Sequence, residues 1–155
     1  MAARSKARKR ALDVLFEAEA RGDSALATLQ RRQALAEPPI APYAAELVEG
    51  VTTHRDAIDD VIANFAEGWT LERMPAVDRQ ALRIAVYELL WRDDIPDAVA
   101  IDEAVTLAKD LSTDDSPRFV NGLLAAVARD RPSVRVDDPT DLGGQDAPTD
   151  ELLGE

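Results

Sequence analysis

The first ten residues contain a dense cluster of positive charge. It consists of Arg4, Lys6, Arg8, Lys9 and Arg10, with no acidic residue among them. Cations at this density can neutralise the phosphates of a nucleic acid. Because the formal net charge of the whole chain is −12, such a cluster acts only locally, within a Debye length of roughly 8 Å.

Three interpretations of this basic cluster compete: a targeting peptide, a solvated chain end, and a phosphate-binding first turn of a helix. Transit peptides are poor in acids, whereas Asp13, Glu17 and Glu19 follow the cluster at once, which disfavours targeting. A solvated end remains an alternative, since chain termini are often poorly ordered. If five cations bind the phosphates of a single strand, the logarithm of affinity falls against log salt with a slope of about −3.5.

Residues that could perform catalysis are sparse. The chain has no cysteine, which excludes disulfides, thiolate metal sites and cysteine nucleophiles. The single histidine, His54, lies in the polar stretch TTHRD and is expected at the surface. Neighbouring carboxylates on a helix point about 100° apart, so each acidic pair offers at most one ligand to a shared metal. With no glycine-rich phosphate loop either, we expect no enzyme activity, no metal and no cofactor.

A second candidate binding segment is DDSPRFVNGLL, residues 114–124. Ser116 and the proline after it form a helix-start signal, with serine as the N-cap. Phe119 then lies one turn into the helix, either as a core aromatic or as a platform on which an unpaired base stacks. The pair Asn121-Gly122 also occurs in hairpins, but the surrounding apolar residues follow helical spacing. Gly122 in a helix costs about 1 kcal/mol relative to alanine, which indicates either close approach by a backbone or ligand, or a tolerated glycine.

The elements that must position these residues are predicted to be helices. Alanine and leucine dominate the apolar residues, which make up 46% of the chain and favour an all-α fold. The segment AVDRQALRIAVYELLWR is apolar over most of its circumference, as is typical of a central bundle helix. The longest apolar run, LLAAVA, is far shorter than the roughly 20 residues of a membrane span, so no membrane contact is expected. Helical spacing and breakers predict helices over about 5–21, 24–36, 42–65 with a division near Thr53, 76–92, 97–112 and 116–129, and a short turn at 70–74.

The end of the chain differs in composition from the rest. Residues 132–155 contain seven acids against one base, together with three prolines and three glycines. Such a segment cannot bury enough apolar surface to offset its ordering entropy. We therefore predict one helical domain over residues 1–131 and a disordered acidic tail over residues 132–155.

Three motifs occur in the order LRIAVYEL, IDEAVTLAK and RFVNGLL, and RKRALDVLFEAE precedes them. Together they resemble the NusB family of bacterial transcription antitermination factors, over about residues 4–128. The resemblance implies a compact bundle of about seven helices in two halves, in the cytoplasm and without enzymatic activity. It also implies binding to the boxA element of ribosomal RNA operon leader transcripts, together with a small-subunit ribosomal protein (NusE). The resulting complex helps RNA polymerase, in the transcription elongation complex, to read through terminators.

The resemblance further implies an RNA-binding surface made from both ends of the domain. The positions carried over are the basic start (Arg4, Lys6 and Arg8), an aromatic later in the first helix (Phe16), an acid that opens the central helix (Asp78), and Asp115, Arg118 and Phe119 of the DDSPRF segment. Phe16 stands where better-known members have tyrosine. Carboxylates repel phosphates, so Asp78 and Asp115 are expected to accept hydrogen bonds from base amino groups or 2′-hydroxyls while the cations position the strand.

Two other functions remain open at this point. One is a protein-interaction module without RNA contacts of its own. The other is the related helical domain of ribosomal RNA methyltransferases, which the length of 155 residues disfavours because no second domain fits. The sequence leaves open whether the free protein is a monomer or a homodimer, and whether the acidic tail competes with RNA for the basic start.

Overall fold

Seven α-helices and one short 3₁₀ turn account for the regular structure of the described residues. The computed structural model describes residues 3–35 and 39–133. In chain order the elements are α1 Ala3–Arg21, α2 Ala25–Leu35, α3 Pro42–Thr53, α4 Arg55–Phe65, the 3₁₀ turn Leu71–Arg73, α5 Ala76–Trp91, α6 Asp97–Leu111 and α7 Ser116–Asp130. The all-α prediction is confirmed. The predicted disordered tail lies, from residue 134 onward, outside the described residues.

The helix boundaries follow local sequence signals. Gly22 ends α1 with a φ of +70°, a left-handed conformation that glycine adopts without steric cost. Ser24 Oγ then accepts a hydrogen bond from the Ala27 N–H at 3.0 Å and caps α2. Pro42 is the first residue of α3, where its missing N–H costs nothing. The predicted division of the long third segment near Thr53 is confirmed, because α3 ends at Thr53 and α4 begins at Arg55.

The helices form two halves that share α5. In one half α1, α2 and α3 contact one another, and in the other α4 to α7 pack together. The predicted central position of α5 is confirmed, since it contacts α1, α3, α4, α6 and α7. Unlike the apolar helix that its sequence suggests, α5 also buries the polar residues Asp78, Gln80, Arg83 and Glu88. None of the described helices is long and apolar enough to cross a lipid bilayer.

A buried ion pair joins α1 to α5. Arg8 Nε donates to both carboxylate oxygens of Glu88, at 3.1 and 3.0 Å, and the Tyr43 hydroxyl donates to the same carboxylate. Arg8 also pairs with Glu103 on α6 at 3.4 Å. Burial raises the pKa of Glu88, although the Tyr43 hydrogen bond and the Arg8 charge oppose the rise. The Tyr43 pKa is likewise raised, first by burial and then by Glu88.

A second charged network joins α1, α4 and α5 at the other end of α1. Arg83 is buried and donates to both carboxylate oxygens of Asp59, at 2.8 and 3.1 Å, and to Glu19 at 3.2 Å. Arg79 also donates to Glu19, at 3.0 Å. Burial raises the pKa of Glu19, but the hydrogen bonds and charges of Arg79 and Arg83 outweigh it, so the pKa lies below its ordinary value.

The Glu19 network predicts a stability contribution that disappears in acid. Because the pKa of Glu19 is lowered in the folded state, its contribution is complete above the ordinary pKa of about 4.5 and is lost as pH falls through the folded value. In urea denaturation, wild type should exceed Glu19→Gln in stability by a constant amount above about pH 5.5, and the two should converge at lower pH. The control is Glu72→Gln, at an exposed glutamate in the 3₁₀ turn. A Glu19→Gln difference that does not change with pH would contradict this assignment.

Close packing between α3 and α5 depends on a glycine. A Cβ atom at Gly50 would lie 2.2 Å from Cζ of Tyr87. The Tyr87 ring stacks with the ring of Trp91, which in turn stacks with His54. The centroids of the Trp91 and His54 rings are 4.5 Å apart, with an interplanar angle of 20°. His54, expected at the surface, is therefore half-buried against Trp91, because the break between α3 and α4 places it over α5.

Candidate nucleic-acid interface

The exposed cations of α1 lie beside the end of α6. Lys6 and Lys9 are exposed and form no ion pair with any described residue. They border a depression of about 440 Å³, here called the basic groove. Its lining residues are Lys6, Lys9, Arg10 and Asp13 of α1 and Leu107, Asp110 and Leu111 of α6. The basic start of the chain thus adjoins the segment that leads into α7.

A second depression, also of about 440 Å³, opens at the turn between α6 and α7. We call it the aspartate pocket, and it is lined by Trp69, Arg73, Met74, Pro75, Asp78, Thr113, Asp115, Ser116 and Phe119. Leu111 lines the basic groove and Thr113 lines the aspartate pocket, so the two depressions adjoin at this turn. Residues from the start, middle and end of the domain therefore meet in one region.

Asp78 forms the buried base of the aspartate pocket. Only 2% of its surface is exposed. Ser116 Oγ donates to Asp78 Oδ2 at 2.8 Å, while Asp78 Oδ1 is buried without a hydrogen-bond partner in the described structure. A buried acceptor without a partner costs about 1–3 kcal/mol, and a donor from a ligand would satisfy it.

The same contact corrects the predicted start of α7. Ser116 was expected to be the N-cap, but α7 begins at Ser116 itself and Asp115 occupies the capping position without a side-chain cap. The Ser116 hydroxyl bonds to Asp78 and accepts from the Thr113 N–H at 3.2 Å. One tertiary hydrogen bond to α5, from Ser116 to Asp78, therefore takes the place of the local cap.

The first turn of α7 presents the other predicted residues. Asp115 and Arg118 are exposed, and neither forms an ion pair with a described residue. Phe119 is half-buried, because one part of it packs against the core while another part lines the aspartate pocket. Gly122 follows one turn later, and a Cβ atom there would meet no atom within 4 Å, which leaves a tolerated glycine rather than a close backbone approach.

Two predicted contacts lie outside both depressions. Arg4 is half-exposed, pairs with Asp94 at 3.4 Å and places its guanidinium 4.4 Å from the centroid of the Tyr43 ring. Phe16 is 41% exposed on α1, one turn before Glu19. Both remain accessible to a ligand that extends along α1.

The structure corrects the prediction for Arg8. Only 4% of its side chain is exposed, and its guanidinium is held by Glu88 and Glu103. The basic cluster is therefore divided by the helical period, since Lys6 and Lys9 face solvent whereas Arg8 faces α5. Arg8 therefore belongs to the core of the domain in this structure, unlike the exposed position that the resemblance led us to expect.

Trp69 and Arg73 are functional candidates that sequence reasoning missed. Trp69 is 55% exposed, and Arg73 is exposed and forms no ion pair in the described part of the chain. Both line the aspartate pocket. The sequence did offer one signal for Trp69, its position directly after Gly68. A large aromatic residue in a turn has few neighbours to bury it, so it is expected to be exposed.

Comparison with protein families places the chain in a known family. The model of the NusB family matches residues 5–129, a range that contains most of α1, all of α5 and the DDSPRF segment. The chain belongs to the NusB family. It is 55% identical to the transcription antitermination protein NusB of Nocardioides sp. (strain ATCC BAA-499 / JS614), over 86% of this chain and 99% of that one. The corresponding protein of Saccharopolyspora erythraea is 61% identical, over 83% and 88%.

Solved NusB structures share the fold. The NusB of T. maritima superposes with a TM-score of 0.73 at 36% identity, covering 83% of this chain and 92% of that one. A chain from a crystal structure of the antitermination factors NusB and NusE in complex with double-stranded RNA superposes with a TM-score of 0.73 at 26% identity, covering 82% and 96%. The expected seven-helix NusB fold is thereby confirmed, and the chain is placed among transcription antitermination proteins.

Proposed function

We propose that this chain binds boxA RNA in ribosomal RNA operon leader transcripts together with the ribosomal protein NusE. In the cytoplasm the complex would then join the transcription elongation complex and promote read-through by RNA polymerase. Residues 1–131 form the RNA-binding domain in this proposal. The observation that carries it is the meeting of exposed cations, a partly exposed aromatic and a carboxylate oxygen without a partner around one turn.

In this proposal the basic and acidic residues have different roles in RNA binding. Lys6, Lys9 and Arg118 are free of ion pairs with described residues, so they can contact phosphates without first breaking a salt bridge. The carboxylates of Asp78 and Asp115 repel phosphates, but their oxygens can accept hydrogen bonds from the amino groups of bases or from the 2′-hydroxyl. The solved complex of relatives that contains NusB, NusE and RNA supports both partners. Phe119 favours unpaired bases, because stacking requires an exposed base face.

The test is a titration of labelled boxA RNA over a salt series, with NusE and without it. Arg118→Ala removes one phosphate contact, so the salt slope should lose about 0.7 and affinity at 0.1 M salt should fall about fivefold. Arg129→Ala is the matched control, because it removes the same side chain from the other end of α7, roughly 16 Å away. It should bind as wild type does.

Two outcomes would contradict the proposal. Equal losses of RNA affinity for Arg118→Ala and Arg129→Ala would mean that binding depends only on the overall charge of the protein. If wild type shows no RNA binding with NusE or without it, the chain is a protein-interaction module, the alternative that the sequence left open.

A further inference from the structure

We propose that Trp69 and Phe119 enclose one unpaired RNA base and that Asp78 selects a base with an exocyclic amino group. This inference rests on the proposed function and adds a recognition residue, Trp69, and a base preference to it. The space between these three side chains is called the base slot below.

The exposure of Trp69 is the first observation. Tryptophan is highly buried on average, yet this side chain is 55% exposed at the rim of the aspartate pocket. The backbone before it is held in an unusual form, with φ of +49° at Glu67 and +95° at Gly68. The backbone N–H of Trp69 closes this turn by donating to the Ala66 carbonyl at 3.3 Å. Left-handed conformations at residues other than glycine persist where the surrounding structure demands them, often at binding sites.

The second observation is the pairing of aromatic surface with a polar group. Trp69 and Phe119 both line the pocket whose buried base is Asp78. Asp78 is almost fully buried, and its Oδ1 atom has no hydrogen-bond partner among the described residues. A flat ligand that stacks on the aromatic rings and donates one hydrogen bond at its edge fits these features. A nucleobase has this combination, and the pocket volume of about 440 Å³ falls within the roughly 300–1,000 Å³ of small-ligand sites.

The carboxylate also sets the base preference. Adenine, cytosine and guanine carry amino groups that donate to a carboxylate oxygen. Uracil presents carbonyl acceptors on both sides of its single N–H, and these oxygens are repelled by the carboxylate. The slot should therefore prefer adenine, cytosine or guanine over uracil. Arg73, which lines the pocket, and Arg118, which precedes Phe119 in α7, are both exposed and suited to the phosphates on either side of the bound base.

Fluorescence can test the slot directly, because the chain contains two tryptophans, Trp69 and Trp91. In a Trp91→Phe variant all tryptophan emission comes from Trp69. Short single-stranded oligo(A) and oligo(C) should quench this emission, and oligo(U) should do so only at higher concentration. Trp69→Ala should weaken binding of oligo(A) by roughly 5- to 100-fold, the range for loss of one stacked base, while Trp69→Phe keeps most of the affinity. Asp78→Asn should reduce the preference over oligo(U).

The outcomes separate this inference from the proposed function. If Trp69→Ala binds boxA RNA as tightly as wild type and RNA leaves Trp69 emission unchanged, the base slot is wrong even where the Arg118→Ala effect is present. Equal quenching by oligo(A), oligo(C) and oligo(U) would overturn the role of Asp78. If neither boxA RNA nor any oligonucleotide binds the wild-type protein, the proposed function itself fails. Circular dichroism confirms that each variant is folded before it is compared.

Discussion

Arg8→Ala is expected to lower the free energy of unfolding by about 3–5 kcal/mol. The substitution leaves the Glu88 carboxylate buried without its cationic partner, and breaking a buried pair on one side carries a penalty of this size. Urea denaturation measures it, with a lower transition midpoint and an unchanged slope. At low urea and low temperature, the fraction that remains folded should bind RNA with wild-type affinity.

Lys6→Ala is the matched control for Arg8→Ala. Lys6 lies two residues away on the same helix, but it is exposed and borders the basic groove. Its removal should leave the urea midpoint nearly unchanged and weaken RNA binding about fivefold at 0.1 M salt. The assignment of Arg8 to the core would be wrong if Arg8→Ala unfolds at the wild-type midpoint and binds RNA more weakly.

Gly50→Ala should destabilise the domain, although alanine is the better helix former by about 1 kcal/mol. The added Cβ would lie 2.2 Å from the Tyr87 ring, which is already stacked with Trp91. Overpacking of this kind typically costs about 1–3 kcal/mol, so the net change in the free energy of unfolding should be a loss of up to about 2 kcal/mol. Thermal or urea denaturation measures the change.

A second helical glycine supplies the control for this prediction. A Cβ at Gly122 in α7 would meet nothing within 4 Å, so Gly122→Ala should stabilise the domain by up to about 1 kcal/mol. The two substitutions are chemically identical and should differ in sign. If both stabilise the protein equally, Tyr87 moves aside freely and the close approach of α3 and α5 does not depend on Gly50.

The helices could be predicted from the sequence because their signals are local. Gly22 and Pro42 mark boundaries through their own backbone preferences, and the structure confirms both. The cap of α2 was expected at Asp23 or Ser24, and the side chain of Ser24 provides it. The apolar period likewise places α5 at the centre. These features depend on residues a few positions apart, which a single sequence displays directly.

The errors concern contacts between residues distant in the sequence. Arg8 and Glu88 are eighty positions apart, so the basic cluster alone could not show that one of its members is buried against an acid on another helix. Ser116 resembles an N-cap in the local sequence. Its hydrogen bond to Asp78 crosses from α7 to α5, so the local sequence could not show it. Trp69 was missed because its significance comes from Asp78 and Phe119, which only the fold brings near it.

The central helix has a consequence for the RNA itself. Asp78 lies at the start of α5 and Glu88 lies ten residues later, so a rigid rod of roughly 15 Å separates the aspartate pocket from the residue that fixes α1 through Arg8. Lys6 and Lys9 flank Arg8 on α1, so the Arg8–Glu88 ion pair with α5 helps to set their distance from the pocket. A strand that contacts both must carry its phosphates and its recognised base at one fixed interval. In the proposed RNA complex, the domain would therefore select the spacing of nucleotides as well as their identity.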